Sequence, residues 1–390
     1  MPPLPFLLAA TSLVGLLHFY IGSRLLPALP GSAWIHSLGW AVLVLSAVLQ
    51  PLGLALRSMR NEHLRDLLGW VAMTAMGVFS SLLVFTVIRD LLLIAVAAVS
   101  AIGIVIVDFN QLQMNTALLV ILLSLLISVA GFINARMLAH VVEINVPLHN
   151  LPPALEGFRI VQISDIHVGL TIKHGYLSRI VDRVNLLEAD LIAITGDLVD
   201  GLVKDISEHT SPLSNLRARH GSYFVTGNHE YYSGVLDWIV EIERLGVRVL
   251  INEHVQLSHD GAVLVLAGVT DYSGGAFYDD HRSDPHAAFA GAPHDAPSIL
   301  LAHQPRSAEA ASEAGFDLQL SGHTHGGQFW PWNHFVPLQQ PYTAGLHRLK
   351  NLWVYVSRGT GYWGPPKRFW APSEITCLKL VSASTLLHVV

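Results

Sequence analysis

Five short pieces of this chain each end in side chains that bind divalent cations. They are Ser-Asp-Ile-His at 164–167, Gly-Asp-Leu-Val-Asp at 196–200, Gly-Asn-His-Glu at 227–230, Ala-His-Gln-Pro at 302–305 and Gly-His-Thr-His-Gly-Gly-Gln at 322–328. Any one of them alone reads as a surface pair or a plain turn. Five in succession, each directly after a short apolar run, read as one metal site. Asp165 and His167 are two apart, so on an extended segment both side chains reach one ion. Asp197 follows a glycine, which lets the backbone turn sharply and brings the carboxylate in. With two oxygens it suits a bridge between two cations. Asn228 offers a neutral carbonyl oxygen, and Gly227 is expected to give the same turn as Gly196. His303, His323 and His325 add imidazole nitrogens. Imidazole with carboxylate suits Zn, Fe or Mn rather than Ca or Mg alone. The single cysteine, Cys377, excludes a thiolate site and an internal disulfide.

Two cations about 3.5–4 Å apart can hold the oxygens of a phosphate and generate a hydroxide between them. That hydroxide attacks phosphorus in line with the leaving group, while the cations stabilise charge on the equatorial oxygens. The expected chemistry is hydrolysis of a phosphoester or pyrophosphate bond without a protein nucleophile. The cofactors would be two divalent ions, Mn, Fe or Zn.

The series D-x-H, G-D-x-x-D, G-N-H-E, H and G-H-x-H resembles that of the calcineurin-like metallophosphoesterase superfamily, over about residues 158–380. The extended Gly-His-Thr-His-Gly-Gly-Gln and the Ser-Arg-Gly-Thr-Gly-Tyr at 357–362 resemble its membrane-associated bacterial branch, which includes UDP-diacylglucosamine hydrolases. The resemblance implies one metal on Asp165, His167, Asp197 and His325, and a second on Asp197, Asn228, His303 and His323. It implies that His229 binds no metal and serves the leaving oxygen as a catalytic residue, with Asp200 orienting it. The implied fold is an α/β/β/α sandwich of two mixed sheets flanked by helices.

The elements that would hold these residues alternate between strand and helix. Apolar runs at 159–163, 191–195, 222–226, 247–251, 263–269, 299–302, 318–320, 352–356 and 375–380 alternate with helical spacing at 176–188 and 238–245. Short, wholly apolar strands between helices imply buried sheets covered on both faces. Ligands just past strand ends lie where such sheets build sites.

The rest of the chain is of another kind. Charged residues make up 13% of it, against about 25% in an ordinary soluble domain. Residues 1–138 hold six Arg, no Lys and four acids, a net of +2; residues 139–390 carry a net of −8. The first part is expected to be a transmembrane helical domain, 139–158 a linker, which alternates and carries Pro147, Pro152 and Pro153 and so reads as a strand and turn, and 159–390 a soluble catalytic domain. The acidic balance argues against nucleic acid as a partner. Stretches 4–22, 34–56, 67–88, 91–107 and 117–135 each approach the ~20 apolar residues of a bilayer span, which gives about five spans. The first lacks the basic flank and cleavage site of a signal peptide and is expected to be retained. Arg89-Asp90 is expected as a tight turn between the third and fourth, with one long broken helix or a re-entrant element as the alternative. The basic loop 57–66, with Arg57, Arg60 and Arg65, should face the cytoplasm. Five spans then put the catalytic domain outside the cytoplasm, in a multi-pass cell-membrane protein.

Five anchors exceed what tethering needs, so a phosphorylated lipid or lipid-linked substrate is expected. The aromatic residues Phe329, Trp330, Trp332, Phe335, Tyr362, Trp363, Phe369 and Trp370 are expected either to pack in the core or to form an apolar rim, with Lys367-Arg368 meeting lipid phosphates. The segment 271–297 reads as a surface insertion. A metal-filled sensor or scaffold that binds a phosphorylated ligand without turnover is the alternative to an enzyme. The sequence sets neither monoester nor diester specificity, nor an oligomeric state.

Overall fold

The protein is described by a computed structural model covering residues 4–55, 59 and 61–383. It divides into two compact units, Met1–Ile133 with Gly364–Lys367, and Asn134–Trp363 with Arg368–Val390.

The first unit is helical: α1 (Leu4–Leu25), α2 (Ala33–Ala55), α3 (Glu62–Ala101) and α4 (Phe109–Arg136), the last running on into the second unit. All four helices are long and apolar enough to cross a membrane. Asn61 caps α3 by accepting from Leu64 N at 3.1 Å, and Asp108 caps α4 by accepting from Asn110 N and Gln111 N. The expected separate span at 91–107 is not a separate helix: α3 runs 40 residues without a break. No proline or glycine interrupts 78–101, and the two charges at its centre are satisfied in place. Arg89 donates to Arg24 O, Gln113 O and Thr116 Oγ1, and Asp90 accepts from Tyr20 Oη and Arg24 Nε, each at 2.8 Å. At ~1.5 Å per residue α3 is about 60 Å long, twice the hydrocarbon core of a bilayer. Arg57 and Arg60 lie outside the described residues. Gly364–Lys367 belongs to this unit: Lys367 Nζ donates to Gly77 O at 2.8 Å and to Ser81 Oγ, and is buried.

The second unit runs β1 (His140–Leu148), β2 (Arg159–Ile163), α5 (His174–Asn185), β3 (Leu191–Ile194), α6 (Val203–Thr210), β4 (Ser222–Phe224), α7 (Asn228–Tyr232), α8 (Val235–Arg244), β5 (Arg248–Val249), β6 (Glu253–His259), β7 (Ala262–Gly268), α9 (Pro285–Phe289), β8 (Ser298–Leu301), α10 (Ala308–Ala314), β9 (Leu318–Ser321), β10 (Gly345–Leu349), β11 (Leu352–Val356) and β12 (Glu374–Ser382). Two six-stranded mixed sheets form, ordered β1-β12-β2-β3-β4-β5 and β10-β11-β9-β8-β7-β6. The pleat divides each strand between two cores. Ile160 of β2 faces the layer shared with Leu266, Ile299 and Leu320 of the other sheet, while Val161 and Ile163 pack with Leu177, Ile180 and Val184 of α5. On the far side Val265 and Leu300 pack with Ala308 and Ala311 of α10. The result is the two-sheet sandwich flanked by helices.

The stretch 139–158, expected as a linking strand and turn, contributes β1, which pairs in parallel with β12 from His140↔Glu374 to Leu148↔Ser382. Val146 and Leu148 bury in the cluster of Phe158 and Leu380, so the strand completes a sheet edge. The strands β2, β3 and β4 are parallel, as are β7, β8, β9 and β11. Within each sheet their C-terminal ends therefore fall on one edge, and all five motifs follow such ends.

Candidate metal centre

Loops beyond β2, β3, β8 and β9 carry six of the seven expected ligands, and Asn228 opens α7 beyond β4. The fold gathers them into two groups in which the ligand atoms lie within 4.8 Å of one another: Asp165, His167 and His325, and Asp197, His303 and His323. In the first, His167 Nε2 is 3.0 Å from His325 Nε2, and His325 Nε2 is 3.4 Å from Asp165 Oδ1. In the second, His303 Nε2 is 3.2 Å from both Asp197 Oδ2 and His323 Nδ1. Asp197 Oδ2 also stands 3.9 Å from His167 Nε2, so it reaches both groups. Asn228 Oδ1 is buried and accepts no hydrogen bond. A buried acceptor without a donor is costly unless a cation supplies the missing partner. Converging carboxylate oxygens, imidazole nitrogens and an amide oxygen thus fit divalent cations.

The outer nitrogens are committed. His303 Nδ1 donates to Thr195 O at 2.7 Å and His167 Nδ1 to Asp200 Oδ1 at 3.1 Å, which leaves Nε2 of each as a lone-pair donor. Asp200 Oδ1 also accepts from His229 Nδ1 at 2.5 Å. The sequence reading gave Asp200 a single partner; it orients two imidazoles. Asp197, His167 and His229 form a third close group, but Asp200 already occupies His229 Nδ1.

Charge follows from burial and proximity. Burial, then the charges of its neighbours, lowers His323 to about 3 and His325 well below the usual histidine value, keeping both neutral as ligands must be. Burial pushes the Asp165 carboxyl up. It acts likewise on Asp197, but His303 beside it holds Asp197 well below the ordinary range. His303 rises in turn against its own burial because of Asp197. Burial opposes protonation of His229 too, yet the Asp200 hydrogen bond and the Asp197 charge raise it to about 9. On Asp165, His303 and His229 a proton takes up part of the negative charge that cations would neutralise.

The backbone is forced at this site. Asp165, His167, Asp197, His323 and His325 all have φ between 51° and 70°, the left-handed region that non-glycine residues enter at a cost. Gly196 turns with φ 85°, as expected. Gly227 does not: its φ is −100°, and it must be glycine because a Cβ would collide with Asp197 Oδ1 and Asp197 N. Glu230, given no role from sequence, is wholly buried. It accepts from Leu198 N at 2.8 Å, Val199 N at 3.2 Å, Asp197 N at 3.0 Å and Gly227 N at 2.6 Å, and so ties the Asp197 loop to the Asn228 loop.

Lys367 and Arg368 are not available to lipid phosphates. Lys367 is 3% exposed and Arg368 0%. Arg368 donates to the carbonyls of Gly361, Arg358 and His325, and its Nη2 lies 3.1 Å from His325 Nδ1. It braces a candidate ligand, which the adjacent aromatic residues gave no means of seeing. Those aromatics divide: Phe329 and Tyr362 are buried, whereas Trp332, Phe335, Trp363 and Trp370 are exposed. In 271–297, His281 is buried against Tyr231 Oη, and among the described residues no cluster of metal ligands forms there.

Residues 158–327 match the calcineurin-like phosphoesterase family. A bovine transmembrane protein with metallophosphoesterase domain is 41% identical over 285 residues, covering 70% of this chain and 64% of the relative. An uncharacterized metallophosphoesterase of Campylobacter jejuni is 35% identical over 277 residues, covering 69% of this chain and 70% of that one. One from Aquifex aeolicus is 31% identical, covering 59% and 87%. The chain spans less than two thirds of the bovine relative and, at 62%, of its zebrafish (Danio rerio) counterpart.

Proposed function

Since this chain belongs to the calcineurin-like metallophosphoesterases, we propose that it is a metal-dependent phosphoesterase that works with a pair of cations on a membrane-borne phosphoester or pyrophosphate. Asp165, His167, His325 and the shared Asp197 would hold one cation; Asp197, Asn228, His303 and His323 would hold the other. When bound, such cations supply positive charge to the phosphoryl oxygens and acidify water. The chain's own residues do the rest. Asp200 fixes the tautomer of His229, whose Nε2 is left to donate a proton or hydrogen bond to the leaving oxygen. The same carboxylate keeps His167 turned with Nε2 toward Asp165 and His325. The observation that carries this reading is the pair of three-ligand groups meeting at Asp197. The purified full chain in detergent should hold two ions and hydrolyse bis-p-nitrophenyl phosphate with Mn²⁺, losing turnover on chelation and regaining it with metal. One ion per chain at full activity would exclude the paired centre; no turnover with any divalent metal would exclude the reaction.

The membrane association supports a lipid or lipid-linked substrate. The helical part, to about residue 138, serves as anchor and the remainder as catalytic domain. Sidedness turns on parity. Five crossings put the catalytic half outside the cytoplasm. The unbroken α3 supports four, which put it on the side of the basic loop 57–66, the cytoplasm. Reporter fusions at the C-terminus should then glow as green fluorescent protein and be silent as alkaline phosphatase; the reverse pattern restores the odd count.

A further inference from the structure

Gln328 closes the Gly-His-Thr-His-Gly-Gly-Gln motif, yet it stands outside both ligand groups. It is buried and has φ 58°. Its amide grips the main chain of a single residue from both sides: Oε1 accepts from Trp363 N at 2.8 Å and Nε2 donates to Trp363 O at 2.8 Å. The indole so held lies with its centroid 5.7 Å from the His229 ring, at 73°. A second ring, Tyr232, lies 5.4 Å from the same imidazole, at 70°, and Phe277 packs 5.8 Å from Tyr232. Trp363 is 53% and Tyr232 54% exposed, so large apolar faces stand open beside the residue that serves the leaving oxygen. An oxygen within hydrogen-bond reach of His229 Nε2 brings its next atoms against these rings. A small, fully hydrated alcohol gains nothing from them, whereas an apolar body does.

We propose that Trp363 and Tyr232 are specificity-determining residues that receive an acylated glycerol as the leaving group, and that Gln328 is the residue that positions Trp363. This rests on the phosphoesterase reading and on His229 as the group at the leaving oxygen. The acyl lipid is favoured over other apolar alcohols because the chain carries its own membrane-length helices.

The test compares water-soluble pairs that differ only in acylation, so that no bilayer enters: dihexanoylglycerol 3-phosphate against glycerol 3-phosphate, and dihexanoylphosphatidylcholine against glycerophosphocholine. Release of the glycerol moiety is scored with the Mn²⁺-loaded full chain. In at least one pair the wild type should favour the acylated compound in kcat/KM by about tenfold or more, the range one apolar contact surface supplies. Trp363→Ala and Gln328→Ala should bring that ratio to within about threefold of unity, chiefly through KM, and Trp363→Phe should retain it. A wild-type ratio near one, or a ratio unchanged in Trp363→Ala, overturns the proposal. So does a nucleoside phosphodiester used better than either acylated compound in a Trp363-dependent way. If bis-p-nitrophenyl phosphate is hydrolysed and neither pair is, the acylglycerol assignment alone fails; if that ester is inert too, the underlying reading fails with it.

Discussion

Asp197→Asn is expected to reduce turnover of bis-p-nitrophenyl phosphate by about 10³-fold or more, a barrier increase of about 4 kcal/mol. The substitution changes almost no volume, and the Asn oxygen can still accept from His229 N, which Asp197 Oδ1 now does at 2.9 Å. What it removes is the charge on the one carboxylate within reach of both ligand groups. It also turns an NH₂ group toward His303 Nε2, where an acceptor stood. Shared ligation should therefore fail while the fold survives. The measurement is kcat alongside bound metal and the thermal midpoint of the metal-free protein. A variant that keeps both ions and a tenth of its activity would show that Asp197 bridges nothing.

Glu230→Ala should damage stability more than any other single change at the site. Its carboxylate is the acceptor for four buried amide groups: Asp197 N, Leu198 N, Val199 N and Gly227 N. Each buried donor left alone costs about 1–3 kcal/mol, so the loss is about 4 kcal/mol or more, a large part of the ~5–15 kcal/mol that holds a domain. For a unit of this size that lowers the melting temperature by about 10 °C or more. Glu230→Gln should fall between: one oxygen still accepts from Leu198 N and Val199 N, but its NH₂ group meets the donors of Asp197 and Gly227. Melting curves of the three proteins decide it. If Glu230→Ala melts within about 2 °C of wild type, these hydrogen bonds are not what holds the two loops together.

Much of the candidate centre is legible in the sequence, and the parts that are not share a cause. Asp165, His167, Asp197, Asn228, His303, His323 and His325 announce themselves because each sits at fixed spacing behind an apolar strand. Gly196 was read correctly because its requirement is local: a positive φ within its own turn. Gly227 was misread because its requirement is not local: it is the space that Asp197 needs. Glu230, Gln328 and Arg368 went unassigned for the same reason, since each acts on the backbone of another segment. The span at 91–107 was separated from its neighbour because Arg89-Asp90 looks like a surface break until Arg24, Tyr20 and Thr116 are seen to satisfy it. The strand β1 is legible in its alternation, but its pairing is not, because its partner, β12, lies at the far end of the chain.

By itself the sequence determined which atoms are available for metal chemistry and which stretches are apolar enough to cross a bilayer. Ligand type and hydropathy are properties of single residues and short runs, so folding does not alter them. Only tertiary structure decided that Asp200 serves two histidines and that Gln328 delivers an indole to His229. It alone decided that His167 and His325, 158 residues apart, bring their Nε2 atoms to 3.0 Å. Such distances are set by how two sheets pack and where their strands end, and no local spacing records them.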